Sequence, residues 1–201
     1  MSKNVYDKAI ETFRKHNGLL RTQQAIDEGV APRTLYQMRE TGVILRENRG
    51  LYRLADCKPG MFFDLVQVSL MVPKGVICLI SALSFHNLIS HLPSQIHLAL
   101  PINGEKPRLE YPPLRLYWLS SKTYTAGIEQ HSLDGIIVKI YGIEKTITDC
   151  FKFRNKIGLD VAIESLRAYR RREDFNVETL TRFAQINRVE RIIKPYIDVL
   201  V

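Results

Sequence analysis

The segment from Thr22 to Asp56, TQQAIDEGVAPRTLYQMRETGVILRENRGLYRLAD, concentrates side chains that can hydrogen-bond to nucleic acid. Arg33 and Gln37 lie four residues apart, and their side chains suit the edges of guanine and adenine, respectively. Flanking arginines suit phosphate groups, which supply affinity and salt dependence without sequence information. The predicted DNA-binding residues are Arg21, Thr22, Arg33, Thr34, Tyr36, Gln37, Arg46, Arg49 and Arg53.

Residues with metal-binding or nucleophilic potential are less convincingly spaced. His86 and His91 are five apart, which is not the i, i+4 pair of a helical zinc site. Asp149 and Cys150 are adjacent, so on a helix they point about 100° apart, and a buried structural thiol is the favoured interpretation. The chain has no HExxH, GxSxG or glycine-rich phosphate loop. We therefore predict no catalytic residues, no metal and no cofactor.

The alternative of a metal-dependent nuclease would require carboxylates clustered with a lysine on adjacent strands. The predicted strand region offers only scattered residues of these types, Glu110, Glu129, Asp134 and Lys139. Thr146 and Asp149 are three apart, and such a pair more often secures a helix start or a buried hydrogen bond than performs acid–base chemistry. A nuclease with its active site in the second domain remains the enzymatic alternative.

Three helical patterns position the polar residues of the N-terminal segment. NVYDKAIETFRKHNG predicts a first helix that stops at Asn17-Gly18. Thr22 is a suitable N-cap for a second helix through Asp27. Pro32 fits the first turn of a third helix that reaches about Thr41.

The third helix has two different faces. At 100° per residue, Ala31, Leu35 and Met38 are predicted to face the core. The opposite, polar face comprises Arg33, Tyr36, Gln37 and Glu40.

GVILRENRGLYRL predicts a β-hairpin that turns at Asn48-Arg49-Gly50 and points Arg53 outward. A helix-turn-helix followed by a β-hairpin wing places one helix in the major groove while the wing touches the DNA backbone. Winged-helix units also dock onto proteins, so a protein-docking module is a second alternative.

Cys57-Lys58-Pro59-Gly60 is the predicted linker, which divides the chain into residues 1–57 and a larger domain at 58–201. FFDLVQVSLM and ISALSFHNL, the latter capped by Ser81, are predicted helices. SQIHLALP, PLRLYWLS and GIEQHSLDGIIVKIYG are predicted strands, the last a hairpin turning at Asp134-Gly135. From Glu144 onward the pattern is helical, in the segments IEKTITDCFKF, LDVAIESLRAYRRR, VETLTRFAQI and VERIIKPYIDVL. The predicted fold class is α+β: a winged helix-turn-helix domain, then a mixed α/β domain ending in a helical segment.

Composition describes a folded basic protein. The 201 residues carry a net charge of +8, with 25% charged and 45% hydrophobic residues. Residues 1–57 hold ten Lys and Arg against seven Asp and Glu, or +3, so the charge is not confined to the predicted DNA-binding domain. Three separated cysteines without a CxxC pair favour a reducing cytoplasm. No membrane segment or secretion signal is predicted.

GLLRTQQAIDEGVAPRTLYQMRETGVILRENRGLYRLAD, SALSFHNL and IYGIEKTITDCF together resemble the AbiEi-type antitoxins, transcriptional regulators of phage-defence loci. Lys145 stands where that family carries Arg, which keeps the cation but loses the planar fork. The resemblance implies a repressor of its own operon that binds inverted repeats in double-stranded DNA through the winged helix. It also implies a second domain that neutralises a nucleotidyltransferase-like toxin in a type IV system, without a lasting complex.

Overall fold

The computed structural model describes residues 2–90 and 93–200, so His91 of the predicted histidine pair lies outside the described residues. The N-terminal part has six elements. They are α1 (Ser2–Lys15), β1 (Leu19–Arg21), α2 (Thr22–Asp27), α3 (Pro32–Glu40), β2 (Ile44–Asn48) and β3 (Leu51–Leu54). The three helices and the hairpin lie where the sequence predicts them. Strand β1 was not predicted, because three residues carry no readable alternation.

Strands β1, β3 and β2 form an antiparallel sheet in that order. Gly50 has a φ of 77° at the hairpin turn, a conformation that favours glycine. Helix α3 begins at Pro32, which occupies its first turn, and Thr41 follows its last residue. The order of helices and strands is consistent with a winged helix-turn-helix.

The start of α2 corrects one capping prediction. Arg21, and not Thr22, occupies the N-cap position, and its backbone N–H donates to Gln24 Oε1 at 3.2 Å. Thr22 is the first helical residue, and its backbone N–H donates to the Gly50 carbonyl of the hairpin turn at 2.9 Å. The end of β1 is therefore tied to the hairpin through the main chain.

A small core joins the first three helices to the sheet. Its buried residues are Ala9, Phe13, Leu20, Ala25, Val30, Leu35, Met38, Ile44 and Leu54. Leu35 and Met38 thus face inward as predicted, because they are three apart on α3 and share one side of it.

The remainder of the chain is a mixed α/β arrangement. Its elements are α4 (Phe63–Met71), β4 (Val76–Ile77), α5 (Leu79–Phe85), β5 (Ile96–Pro101), β6 (Leu114–Leu119), α6 (Ser121–Thr125), β7 (Ile128–Leu133), β8 (Ile136–Tyr141), α7 (Ile143–Lys152), α8 (Arg154–Ile157), α9 (Leu159–Arg170), α10 (Val177–Asn187) and α11 (Glu190–Leu200). The strand order is β6-β5-β4-β8-β7. Strands β5 and β6 are parallel, as are β4 and β8, whereas β4–β5 and β7–β8 are antiparallel. Across residues 2–90 and 93–200, every helix is too short or too polar to span a bilayer.

Ser81 does not cap α5 as predicted, because the helix begins at Leu79 and Ser81 lies within it. The buried Ser81 Oγ instead accepts a hydrogen bond from the His97 backbone N–H at 2.9 Å. The hydroxyl therefore joins α5 to β5.

The five-stranded sheet has a core on each face. On β5, Leu98 packs in one core and Ala99 in the other, as the two-residue period of a strand requires. Helices α7, α9 and α10 contribute to the core that contains Ala99. Leu19 of β1 and Leu51 of β3 belong to the other core, together with α4. The N-terminal sheet therefore shares buried apolar surface with the rest of the chain.

Candidate nucleic-acid interface

The outer surface of α3 presents polar side chains to solvent. Arg33, Tyr36, Gln37 and Glu40 are exposed, and Tyr36 retains 58% of its accessible surface. Ala31 was predicted to face inward, but it is exposed because it precedes the helix as its N-cap residue. The structure thus brings Arg33, Tyr36 and Gln37 together on one solvent-facing surface, which we call the α3 face.

Thr34 does not reach the α3 face. Its accessible surface is only 7%, because it neighbours Leu35 on the buried side of the helix. Its backbone N–H donates to the Ala31 carbonyl at 2.9 Å within the first turn. Among the predicted DNA-binding residues, Thr34 is placed least favourably for contact with a ligand outside the protein.

Arg39 adds a cation beside the α3 face that was not among the predicted residues. Its guanidinium carbon lies 4.9 Å from the centre of the Tyr36 ring, and its Nη2 donates to Glu40 Oε1 at 2.6 Å. This hydrogen bond to Glu40 raises the pKa of Arg39. The three-residue spacing from Tyr36 is the signal that predicts this stacking on a helix.

The β2–β3 hairpin exposes Arg46 and Arg49. Arg46 Nε donates to the Asn48 carbonyl of the same strand at 3.4 Å. Both side chains remain at the protein surface, where a guanidinium can contact phosphate.

Arg53 corrects the prediction of an outward side chain. Only 12% of its side chain is exposed, and its Nε donates to Glu47 Oε1 at 2.7 Å. Its Nη1 donates to the carbonyls of Leu54 and Cys57. The guanidinium is therefore held by acceptors of its own chain, close to the predicted linker.

Arg21 and Thr22 are half-buried at the end of β1. Arg21 Nη1 donates to the Leu70 carbonyl of α4 at 3.4 Å, so this side chain is directed towards α4. The structure does not group it with Arg33 and Gln37.

The hairpin turn is attached to the larger part of the chain through Asn48. This buried side chain donates from Nδ2 to Gln67 Oε1 at 3.1 Å and to the Tyr111 carbonyl at 2.6 Å. One side of the hairpin is therefore fixed against α4 and the loop before β6, while Arg46 and Arg49 remain exposed.

The Thr146 and Asp149 pair forms buried hydrogen bonds, as its spacing predicts. Thr146 Oγ1 donates to the Tyr141 carbonyl at 3.1 Å. Asp149 accepts from Lys145 Nζ at 2.5 Å and from Asn187 Nδ2 at 2.8 Å. With exposures of 0% and 1%, the Lys145 and Asp149 side chains belong to the interior. A buried charged pair of this kind needs its partners to offset desolvation.

The environment of Cys150 is that of a structural thiol. The residue is fully buried, and burial raises its thiol pKa well above the usual range. A reactive cysteine requires the opposite shift.

The acidic residues considered for a nuclease lie in different places. Glu110 borders the hairpin arginines, whereas Glu129 Oε2 pairs with His131 Nε2 at 3.1 Å on β7. Asp134 lies in the β7–β8 turn, five residues after Glu129. Five residues of extended strand span about 16 Å. Within the described part of the chain, no group of three His, Cys, Asp or Glu side chains is arranged to hold a metal ion.

Comparisons with known proteins bear on both the N-terminal segment and the fold. The chain resembles the crystal structure of the RV2827C protein from Mycobacterium tuberculosis with a TM-score of 0.56 and 11% identity, over 96% of this chain and 80% of that one. That similarity concerns the fold alone. No curated protein sequence matches the chain. Residues 7–55 match the model of a family described as "Transcriptional regulator, AbiEi antitoxin", which confirms the predicted resemblance for this segment.

Proposed function

We propose that this protein is a sequence-specific DNA-binding repressor that acts in the cytoplasm on its own promoter. The observation that carries the proposal is the α3 face, where Arg33, Tyr36 and Gln37 are exposed in a segment that matches a family of transcriptional regulators. An arginine and a glutamine on one helix surface can read guanine and adenine edges in the major groove.

The β2–β3 hairpin is the proposed wing. Arg46 and Arg49 are exposed there and are suited to phosphate contacts beside the groove that α3 enters. Arg21 and Arg53 are held by carbonyl groups of their own chain, so we assign them to the support of the interface. Thr22 supports it through the main-chain bond to Gly50.

We further propose that residues 58–201 form the antitoxin domain and residues 1–57 the DNA-binding domain. The match to an antitoxin family supports a functional pairing with a toxin. Our proposal is a nucleotidyltransferase-like toxin that is opposed without a lasting complex, in a phage-defence operon with inverted repeats at its promoter.

The decisive experiment is a salt-titrated binding assay with the DNA upstream of the gene and scrambled DNA of equal length. We expect tighter binding to the upstream fragment. Arg33→Ala should weaken specific binding by about 1–3 kcal/mol and relax the preference at one base pair. Arg49→Ala should weaken binding to both fragments and lower the salt slope by about one unit.

Lys8→Ala provides the matched control, because it removes one exposed cation from a different helix, α1. It should leave the preference for the upstream fragment unchanged. An unaltered preference in Arg33→Ala would exclude α3 as the reading helix. Absence of binding to both fragments would favour the protein-docking alternative, and Mg²⁺-dependent cleavage of either fragment would favour the nuclease.

A further inference from the structure

A crevice of about 410 Å³ lies where the N-terminal part meets the rest of the chain. The C-terminal end of α1 and strands β1 and β3 form one wall, and the segment 57–60 crosses beside them. Helix α4 and the β7–β8 turn form the other wall. Small-molecule sites have volumes of this size and often lie between structural units.

The floor of the crevice is apolar. Leu19 and Val66 are buried there, and the half-buried Phe63 and Ile136 border them. Such a surface favours an aliphatic or aromatic group, because covering the exposed parts of Phe63 and Ile136 removes apolar area from water.

Positively and negatively charged side chains line the crevice beside this floor. Lys58 is exposed at the rim and forms no ion pair within the described residues. Arg14 pairs with Asp56 at 3.3 Å, and both side chains are more than 60% exposed. Exposed pairs of this kind contribute little stability, so a ligand carboxylate can replace Asp56 at low cost.

Asp134 supplies a carboxylate on the opposite wall. An ideal Cβ on Gly60 would lie 2.3 Å from Asp134 Oδ2, so the absence of a side chain at Gly60 lets the carboxylate approach the 57–60 segment. The crevice therefore combines cations, the carboxylate of Asp134 and an apolar floor.

We propose that the crevice binds a small zwitterion with an apolar body, in chemical terms an apolar α-amino acid. Its carboxylate contacts Lys58 and Arg14, its ammonium group contacts Asp134, and its side chain covers the floor formed by Leu19 and Phe63. This assignment goes beyond the proposed DNA-binding function and does not depend on it, because the site can be tested in the absence of DNA.

Isothermal titration calorimetry of the full chain with L-phenylalanine tests the proposal. We expect saturable binding at one site. The analogues 3-phenylpropionate, which lacks the ammonium group, and phenethylamine, which lacks the carboxylate, should both bind more weakly. Equal binding of the three compounds would overturn the proposed recognition of a zwitterion, as would no binding of L-phenylalanine.

Substitutions at two exposed positions test the two charged contacts separately. Lys58→Met and Asp134→Asn should each weaken L-phenylalanine binding roughly three- to fivefold, the effect of one exposed charge pair. Asn tolerates the positive φ of 49° at position 134. Lys15→Met and Glu11→Gln make the same changes on exposed positions of α1 outside the crevice and should have no effect.

Cys57 offers an independent reporter, because it lines the crevice while Cys78 and Cys150 are buried. Burial raises the pKa of the Cys57 thiol, so alkylation with iodoacetamide is followed at mildly alkaline pH. L-Phenylalanine should slow alkylation of Cys57 in the wild-type chain and less so in Asp134→Asn. Unchanged alkylation at saturating ligand would locate any binding elsewhere and overturn the proposal.

Discussion

Arg49 and Arg53 of the β2–β3 hairpin carry the same charge in opposite surroundings. Arg49 is exposed at the turn, whereas Arg53 is held by Glu47 and by the carbonyls of Leu54 and Cys57. Removing a partner from a half-buried acceptor leaves that acceptor without compensation for its lost hydration. The two arginines should therefore differ in their contribution to folding.

Arg53→Ala is expected to lower the free energy of unfolding by about 1–3 kcal/mol, because Glu47 and the Cys57 carbonyl lose their donor. Arg49→Ala is the matched control and should change it by less than about 0.5 kcal/mol. Urea denaturation followed by circular dichroism measures both values. Equal transition midpoints for the two variants would contradict the structural role of Arg53.

For single residues, the sequence predicts well which side chains face solvent only where they lie on a helix. Arg33, Tyr36 and Gln37 are exposed as expected from the period of α3. Arg53 was predicted to point outward from strand alternation, but its acceptors come partly from the chain beyond the hairpin. Tertiary partners of this kind are not encoded in a local period.

One side of the β2–β3 hairpin contacts the rest of the chain, and the other side faces solvent. Asn48 is buried and donates to Gln67 and to the Tyr111 carbonyl. Because these contacts come from α4 and from the loop before β6, they hold the turn in a defined position. The hairpin could be located from Asn48-Arg49-Gly50 alone, but its attachment could not.

Asn48→Ala should therefore destabilise the protein by about 1–3 kcal/mol, since the buried Gln67 side chain loses its partner. Asn155→Ala removes an exposed asparagine from α8 and should cost less than about 0.5 kcal/mol. Urea denaturation compares the variants, and amide hydrogen exchange in β2 and β3 reports whether the loss is local. Unchanged stability and exchange in Asn48→Ala would show that the contact does not hold the hairpin.

Long periodic elements were predicted closely, and very short ones were not. Helices α7, α9, α10 and α11 and the β7–β8 hairpin lie where the sequence places them. The two-residue β4 and the five-residue α6 were missed. Such short segments are determined by pairing with distant strands and by packing. Neither can be predicted from the propensities of a few neighbouring residues.

For the whole molecule, the core shared between the N-terminal sheet and α4 changes how the chain should unfold. Leu19 and Leu51 lie in the same cluster as Val66 and Val138. The sequence predicts a division of the chain at residues 57–60. The boundary remains a proposal, and the shared cluster favours unfolding of the two parts together.

The buried His97 and the half-buried His86 give this common stability a defined pH dependence. His97 is buried, its Nδ1 lies 3.2 Å from the Tyr117 hydroxyl, and burial lowers its pKa from 6.5 to about 4. Burial lowers the pKa of His86 as well. The unfolded chain therefore takes up these protons at a higher pH than the folded chain does.

The contribution of the neutral histidines to the free energy of unfolding should therefore be fully present above about pH 6.5. It should decrease as the pH falls towards 4. For His97 alone, the shift corresponds to a loss of up to about 3 kcal/mol over that interval. Urea denaturation at pH 7 and pH 5 should show the decrease, and His97→Gln should show a smaller one. Ring-proton NMR of the folded wild-type chain provides a test that does not depend on the stability of that variant. A His97 resonance, assigned by its absence in His97→Gln, that titrates near pH 6.5 would contradict the burial of a neutral imidazole.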